Sequence, residues 1–123
     1  MKVVISNTAG MPIYEQIKRH IKAAIIAGEL KENDVLPSLR TLAKELKVSV
    51  LTTTRAYSEL EMEGFVINIQ GKGCYVLGQH TELAREQFLR EIEAHLQEVI
   101  KIAKCANVSN EELHELLNIL VEG

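Results

Sequence analysis

The hydrophobic positions in the first half of the chain recur at helical spacing and predict three helices. Residues 12–27 carry an isoleucine-rich stripe that begins at Pro12, a residue suited to the first position of a helix. The opposite, polar face carries Glu15, Lys18, Arg19 and Lys22. Shorter stripes over residues 38–46 and 49–63 each start with a serine that can cap a helix. Two such helices joined by a turn of about three residues are typical of a helix-turn-helix, although any short helical hairpin gives a similar pattern.

The next segment changes to the two-residue alternation of β-strands. Residues 65–69 and 74–77 alternate as strands, and the intervening Gln-Gly-Lys-Gly predicts a turn with Lys72 at its tip. A hairpin placed directly after the third helix of a helix-turn-helix is a wing. We therefore predict a mainly α chain with a small β-hairpin, in which residues 1–78 form a winged helix-turn-helix.

The last third of the chain, residues 79–123, predicts two further helices with long apolar stripes. The first stripe recurs at alternating spacings of three and four, and the last helix opens with a capping box from Ser109 to Glu112. The stripe residues are Leu89, Ile92, Leu96, Val99 and Ala103 in the first helix, and Leu113, Leu116, Leu117 and Leu120 in the second. A hairpin of about 40 residues has more apolar surface here than it can bury on itself. We therefore predict a C-terminal two-helix dimerisation hairpin; the alternative is that both helices pack on the winged domain.

Composition and charge describe a globular protein whose two parts differ in sign. Hydrophobic residues make up 46% and charged residues 25% of the 123 positions, and the formal net charge is −3. Residues 1–78 hold 10 Lys/Arg against 8 Asp/Glu, whereas residues 79–123 hold 4 against 9. No apolar run approaches the ~18 residues of a membrane span, and Ser6-Asn7-Thr8 interrupts the apolar start. We expect a cytoplasmic protein with no membrane partner, in which the mildly basic part is the working domain.

The residue types that carry catalysis or bind metals lack the spacing that these functions require. The four histidines are His20, His80, His95 and His114, and they form no metal-binding pattern. Cys74 and Cys105 form no C-x-x-C pair, and an inert thiol is the commoner state of a cysteine placed like Cys74. Nucleophile-elbow, P-loop and dinucleotide-binding patterns are absent, and Glu61 and Glu63 diverge on one helix. We therefore expect no enzymatic activity, no metal and no cofactor.

Five segments between residues 12 and 77 have a distinctive order and spacing. They are Pro12-Ile13-Tyr14-Glu15-Gln16-Ile17, Leu36-Pro37-Ser38-Leu39-Arg40-Thr41-Leu42-Ala43, Val48-Ser49-Val50-Leu51-Thr52-Thr53-Thr54-Arg55-Ala56-Tyr57, Leu60-Glu61-Met62-Glu63-Gly64-Phe65 and Gly71-Lys72-Gly73-Cys74-Tyr75-Val76. Together they resemble the GntR family of bacterial transcription regulators, and the short helical C-terminus is similar to that of its YtrA-like subgroup. The resemblance implies a homodimer that binds an inverted-repeat DNA operator, often as a repressor of an operon encoding an ABC-type transporter.

The resemblance also implies which residues contact double-stranded DNA, with the third helix in the major groove. The expected contacts are Ser38 and Arg40 at the start of the second helix, Ser49, Val50, Leu51, Thr52, Thr54 and Arg55 on the third helix, and Gly71, Lys72 and Gly73 in the wing. The family pattern marks Arg40 most clearly, and Lys72 would reach a phosphate or the minor groove. The structural alternatives are an Arg40 that pairs with Asp34 or Glu45, and a solvated turn lysine at position 72.

The third helix departs from the family pattern at two positions. Many members have arginine immediately after the capping residue and again four positions later, where this chain has Val50 and Thr54. Specificity is therefore expected to depend more on hydroxyl contacts, on DNA shape, and on contacts of Val50 or Leu51 with thymine methyl groups.

A winged-helix adaptor that binds proteins rather than specific DNA is the main rival function. The placement of Arg40, Arg55 and Lys72 distinguishes the two functions, because a DNA-binding surface requires these cations on one face. The sequence has no separate effector-binding domain, so a small-molecule effector would bind between the hairpin and the winged domain or at the dimer interface. No residue pattern identifies that effector, the operator sequence or the regulated genes.

Overall fold

The computed structural model describes residues 2–6, 10–78 and 81–123. Its elements are α1 (Ile13–Ala27), α2 (Leu39–Leu46), α3 (Val50–Met62), β1 (Val66–Ile69), β2 (Gly73–Val76), α4 (Thr81–Ala106) and α5 (Asn110–Glu122). Within this described part, five helices and one antiparallel hairpin confirm the predicted fold class, mainly α with a small β-hairpin.

The chain divides into two compact units, Met1–Arg85 and Glu86–Gly123. The division lies inside α4, seven residues beyond the boundary predicted after residue 78. Residues 79 and 80 lie outside the described residues, as do Met1 and residues 7–9. Three sequence-based predictions therefore fall on positions outside the described residues. They are the domain junction after residue 78, the interruption of the apolar start by Asn7-Thr8, and the absence of a metal-binding pattern at the histidine in position 80. The first unit contains α1 to β2 and the start of α4, and the second contains the rest of α4 and all of α5.

The two serines that were predicted as caps begin α2 and α3. The Ser38 hydroxyl accepts a hydrogen bond from the backbone N–H of Thr41 at 3.1 Å, and the Ser49 hydroxyl accepts one from Thr52 at 3.2 Å. Lys47 adopts a left-handed conformation with φ 57°, which turns the chain sharply between the two helices. The helix-turn-helix is therefore encoded by local signals at both helix starts.

α1 differs from its prediction at its start and on its polar face. Pro12 has an extended ψ of 147° and precedes the helix by one residue, so the expectation that it occupies the first helical position is wrong. Ile17 and Ile21 are fully buried, as the apolar stripe predicted. The polar face is not uniformly solvated, because Lys18 is only 7% exposed.

Lys18 lies in an ion cluster that joins α1 to α3. Its Nζ atom is 2.8 Å from a carboxylate oxygen of Glu59 and 2.7 Å from one of Glu63, and Lys22 is 2.8 Å from the other oxygen of Glu63. Burial opposes the charge of Lys18, but its hydrogen bonds to Glu59 and Glu63 raise its pKa above the ordinary value. The amphipathic pattern missed this cluster, because Lys18 and Glu59 are 41 positions apart in the sequence.

The core of the first unit combines side chains of its helices and its hairpin. Its fully buried large side chains include Ile17, Ile21, Leu42, Tyr57, Leu60, Phe65, Val66 and Val76. In the first turn of α4, Ala84 is also fully buried and Leu83 packs against this core. The first unit therefore encloses a hydrophobic core of its own.

The wing is a two-stranded antiparallel sheet with an additional backbone attachment. Val66 pairs with Val76 and Ile69 with Gly73, which confirms the predicted hairpin. Val35 forms an isolated bridge with Tyr75, and three backbone hydrogen bonds join residues 33–36 to β2 at 2.8–2.9 Å. The sequence predicted an extended segment before Pro37 but not its pairing with the wing.

The second unit consists of two helices whose apolar stripes remain largely exposed. Ser109 and Glu112 form the predicted capping box at the start of α5. Of the stripe residues, Ala103 is buried and Leu113 is half-buried. The others are 41–70% exposed: Leu89, Ile92, Leu96, Val99, Leu116, Leu117 and Leu120. The hairpin therefore buries little of its own apolar surface.

Residues 2–6, 10–78 and 81–123 lack a membrane-spanning helix and a metal-binding cluster. No helix there combines the length and the apolar character that a membrane span requires. The same residues hold no cluster of three or more His, Cys, Asp or Glu side chains arranged to bind a metal ion.

Candidate nucleic-acid interface

Two buried hydroxyl groups fix the start of α2 against α3. Thr53 donates its hydroxyl hydrogen toward the backbone oxygens of Leu39 and Val50, each at 3.0 Å. Tyr57 donates to the backbone oxygen of Pro37 at 2.7 Å, and burial raises the pKa of its phenol well above the ordinary value. These bonds position Ser38 and the first turn of α2 relative to the recognition helix, as α3 is called below.

The start of α2 and the tip of the wing line one groove of about 560 Å³. Its lining includes five of the predicted DNA-contacting residues: Ser38, Arg40, Gly71, Lys72 and Gly73. Arg40 and Lys72 are both exposed, so two cations share this concave surface. The structure thus brings together residues that are more than 30 positions apart in the sequence.

Arg40 has no carboxylate partner among the residues that the structure describes. Its two candidate partners were Asp34 and Glu45, and neither lies within ion-pair distance of it. Asp34 instead accepts a hydrogen bond from the backbone N–H of Lys31 at 2.8 Å. The charge of Arg40 is therefore not neutralised by either of the two acids that the alternative interpretation invoked.

The first turn of the recognition helix is exposed and partly apolar. Val50 is 42% and Leu51 is 81% exposed. The hydroxyl oxygens of Ser49 and Thr52 are 3.0 Å apart and share a hydrogen bond. Thr54, on the next turn, is half-buried. Leu51 is therefore about twice as exposed as its neighbour Val50.

Arg55 contacts two neighbours, Tyr14 and Glu59, that were not predicted from the sequence. Its guanidinium carbon lies 3.7 Å from the ring centroid of Tyr14, and its Nε donates to a carboxylate oxygen of Glu59 at 3.0 Å. Hydrogen bonds from Lys18 and from Arg55 lower the pKa of Glu59. Arg55 does not line the groove that contains Arg40 and Lys72, so the three cations are not all gathered in that groove.

The wing is fixed to the end of α3 by an exposed carboxylate. Glu61 accepts hydrogen bonds from the backbone N–H of Asn68 at 2.7 Å and from its side-chain amide at 3.2 Å, which lowers the pKa of Glu61. At the tip, Gly71 has φ 78° and Gly73 has φ 124°, conformations that favour glycine and bring Lys72 to the end of the turn. Glu61 thus has a structural partner different from those of Glu63, consistent with the predicted divergence of the two acids.

The two cysteines differ in exposure. Cys74 is buried in the wing, and burial raises the pKa of its thiol to about 11. A thiol with this pKa is protonated at neutral pH and reacts slowly, because the thiolate is the reactive form. Cys105 is exposed on α4.

Comparison with known proteins identifies the class of protein to which this surface belongs. Residues 13–76 match the family described as "Bacterial regulatory proteins, gntR family". The chain belongs to this family. The match extends from α1 to β2 and therefore includes the helix-turn-helix and the wing.

Similarity to individual GntR-family relatives extends beyond the winged domain. The chain is 34% identical to the "HTH-type transcriptional repressor YtrA" of Bacillus subtilis over 92% of this chain and 87% of that protein. It superposes with a TM-score of 0.73 on a structure described as a transcriptional antiterminator from Listeria monocytogenes, at 31% identity over 98% of this chain and 90% of the other. The predicted resemblance to the YtrA-like subgroup is confirmed.

The structural neighbours include complexes with operator DNA. The DNA-binding domain of AraR in complex with operator ORX1 superposes with a TM-score of 0.55 at 25% identity, over 62% of this chain and 95% of that one. The chain is thus a GntR-family transcription regulator with a winged helix-turn-helix DNA-binding domain. The relatives that it resembles are transcription regulators rather than enzymes.

Proposed function

We propose that the chain is a cytoplasmic, homodimeric repressor that binds an inverted-repeat operator and controls an operon encoding an ABC-type transporter. The observation that carries the DNA-binding part is the groove shared by Arg40 and Lys72, in which Arg40 has no ion-pair partner among the described residues. An exposed, unneutralised guanidinium group is suited to a phosphate or a guanine edge. The repressor assignment is supported by the name of the relative YtrA.

The proposed DNA contacts fall into three groups by position. The recognition helix enters the major groove, the wing lies against the adjacent backbone, and the start of α2 contacts phosphates. The residues are Ser38 and Arg40 on α2, Ser49, Val50, Leu51, Thr52, Thr54 and Arg55 on α3, and Gly71, Lys72 and Gly73 in the wing. Arg55 would contact a phosphate at the side of α3 where Tyr14 supports its guanidinium plane.

The proposed dimer interface is the apolar side of the second unit. A groove of about 510 Å³ runs between α4 and α5, and its lining includes Leu96, Val99, Leu113, Leu116, Leu117 and Leu120. Leu89, Ile92 and Ala103 extend the interface along α4. A second copy of this hairpin offers a matching apolar surface, because a twofold interface uses the same residues on both chains. The dimer is expected to place its recognition helices ~34 Å apart or at a multiple of that spacing.

The proposed division of labour assigns DNA binding to residues 1–78 and dimerisation to residues 79–123. The second unit consists of the rest of α4 and all of α5. A small-molecule effector, if the protein uses one, would bind at the proposed dimer interface.

Fluorescence anisotropy with duplex DNA tests the proposal. The full chain is titrated with labelled duplex from upstream of its own gene and with a scrambled duplex, over a salt series. We expect tighter binding to the native duplex and a steep loss of affinity with salt, because phosphate contacts release counterions. Arg40→Ala should weaken binding by about 1–3 kcal/mol. Arg90→Ala is the matched control, because Arg90 is an exposed arginine on α4 outside the proposed surface.

The other outcomes separate the alternatives. Equal, weak binding to both duplexes would indicate that the operator lies at another promoter or that binding requires an effector. An absence of binding to either duplex at low salt would support the protein-binding adaptor instead. If the Arg40 and Arg90 substitutions change the DNA affinity equally, Arg40 does not belong to the DNA-binding surface.

A further inference from the structure

The recognition helix presents an unusually exposed leucine at the position where a helix contacts base edges. Leu51 is 81% exposed in the first turn of α3, and it lies at the serine-capped end of that helix. A single exposed leucine is common on protein surfaces and needs no partner. Its chemical surroundings, rather than its exposure alone, indicate what it contacts.

The polar groups beside Leu51 are largely engaged within the helix. Ser49 accepts from the backbone N–H of Thr52 at 3.2 Å, and the two hydroxyl groups share a further bond at 3.0 Å. At most one hydroxyl hydrogen of this pair remains for an outside acceptor. Thr53 is fully buried and donates toward backbone oxygens of Leu39 and Val50. The outer surface of this turn is therefore formed mainly by the alkyl groups of Val50 and Leu51.

Duplex DNA offers one apolar group on the base edges of its major groove, the 5-methyl group of thymine. We infer that Leu51 contacts the methyl group of one thymine in each half of the operator and makes that position a specificity determinant. This inference rests on the proposed DNA-binding function and adds the residue and the chemical group that it reads. Leu51 is assigned this contact rather than Val50, because Val50 is about half as exposed.

A contact with the methyl group alone has a distinctive chemical signature. Deoxyuridine has the same hydrogen-bonding edge as thymidine but lacks the methyl group, so only an apolar contact distinguishes the two. 5-Methylcytosine presents the methyl group beside an amino donor instead of a carbonyl acceptor. Leu51 should therefore respond to the methyl group whichever of these pyrimidines carries it.

The experiment first obtains a duplex and then removes single methyl groups. The full-length protein selects binding sequences from a random duplex library, and each thymine of the selected duplex is replaced in turn by deoxyuridine. We expect one thymine in each half-site at which the replacement weakens binding about fourfold, and about 15-fold when both are replaced. For Leu51→Ala the same replacements should change affinity less than about 1.5-fold, because the apolar partner has already been removed.

Met62→Ala is the matched control variant. Met62 is another exposed apolar side chain of α3, 87% exposed, at the opposite end of the helix from Leu51. The Met62→Ala variant should lose as much affinity as the wild type when the sensitive thymine is replaced by deoxyuridine. Both side chains are exposed, so the melting temperature of each variant should match that of the wild type. Cytosine at the sensitive position should bind more weakly than 5-methylcytosine in the wild type but not in Leu51→Ala.

Three outcomes would overturn the inference. If no thymine is sensitive to deoxyuridine although a sequence is selected, the operator is read without methyl contacts. If a sensitive thymine remains equally sensitive in Leu51→Ala, another residue contacts it. If the library yields no enriched duplex, the proposed DNA-binding function fails first and the inference fails with it.

Discussion

The two units of the chain use similar helical patterns but bury them to very different extents. In the first unit α1, α3 and the hairpin contribute fully buried side chains to one core, and Tyr57 and Phe65 are almost completely buried. In the second unit, α4 and α5 leave most of their leucines about half exposed. An amphipathic pattern therefore shows that a helix requires an apolar partner, but not whether that partner belongs to the same chain.

This difference suggests separate sources of stability for the two units. The first unit contains its own core and an ion cluster, so its folding should not require a second chain. The second unit has 38 residues and little buried surface, and units of this size rarely fold alone. The proposed dimer would supply the missing apolar contacts. Substitutions in the two units should thus have different dependences on protein concentration.

The largest expected effect follows from truncation of a core side chain in the first unit. Phe65→Ala should lower the free energy of unfolding by about 3–5 kcal/mol, because it removes a fully buried ring and leaves a cavity. Urea denaturation of the wild type and the variant measures the difference. Leu120→Ala, at a site 70% exposed, is the comparison in the second unit. Similar losses for both, independent of protein concentration, would contradict the contrast between the units.

A charge placed in the apolar groove of the second unit should separate the proposed dimer. Leu117→Asp buries a carboxylate in any interface formed there, which is strongly unfavourable, so the sedimenting mass should fall by about half. Ile119→Asp is the matched control, because Ile119 lies on the same helix with comparable exposure but does not line the groove. Analytical ultracentrifugation at micromolar concentration measures both variants.

The first unit should remain folded in the Leu117 variant, which circular dichroism and the urea transition can verify. DNA affinity should fall with the loss of the dimer, because one half-site contact is lost. A wild-type protein that sediments as a monomer would reject the dimer outright. A dimer that survives Leu117→Asp but not Ile119→Asp would place the interface on a different side of α5.

The smallest expected effect concerns the ion cluster between α1 and α3. Folding lowers the pKa of Glu59 and Glu63, so their contribution to stability is present above the ordinary carboxyl pKa of 4.5 and is lost as the pH falls through their lower folded-state values. The melting temperature of the wild type should decrease below about pH 4.5. The double variant Glu59→Gln, Glu63→Gln should be less stable than the wild type at neutral pH. Its melting temperature should also fall less than that of the wild type on acidification.

Two exposed glutamates of the second unit provide the control for acidification. Replacement of Glu93 and Glu115 by glutamine should leave the pH dependence of the first unit unchanged, because neither residue belongs to the ion cluster. An identical response of the two double variants would indicate that the cluster does not govern the acid sensitivity.

The features that sequence predicted well are those specified by neighbouring residues. Ser38 and Ser49 begin helices because each serine caps an N–H only three positions away. The glycines of the wing turn adopt the left-handed conformations that such a turn requires, and the capping box at Ser109 is present as predicted. The resemblance to the GntR family predicted the class of protein, and the comparisons confirmed that prediction.

The features that sequence did not predict depend on residues that are distant in the chain. The helical pattern places Lys18 on a polar face, but nothing near it in the sequence indicates its contacts with Glu59 and Glu63. The ion pair of Arg55 with Glu59 could have been predicted, because the two residues are four positions apart on one helix. The contact of Arg55 with the Tyr14 ring could not have been predicted, because the two residues are distant in the sequence. The predicted DNA contacts and dimer contacts remain predictions, supported by exposure and by shared grooves.

The backbone attachment of residues 33–36 to β2 has a kinetic consequence. Because Leu36 donates to Cys74 and Val76 donates to Asp34, the wing and the segment that leads into α2 move as one hydrogen-bonded piece. These bonds connect the backbone that leads to Arg40 with the strand that follows Lys72 before any ligand binds. A surface organised in this way has little ordering entropy to lose at the encounter. Its association rate should be controlled by diffusion and electrostatic steering rather than by closure of the wing.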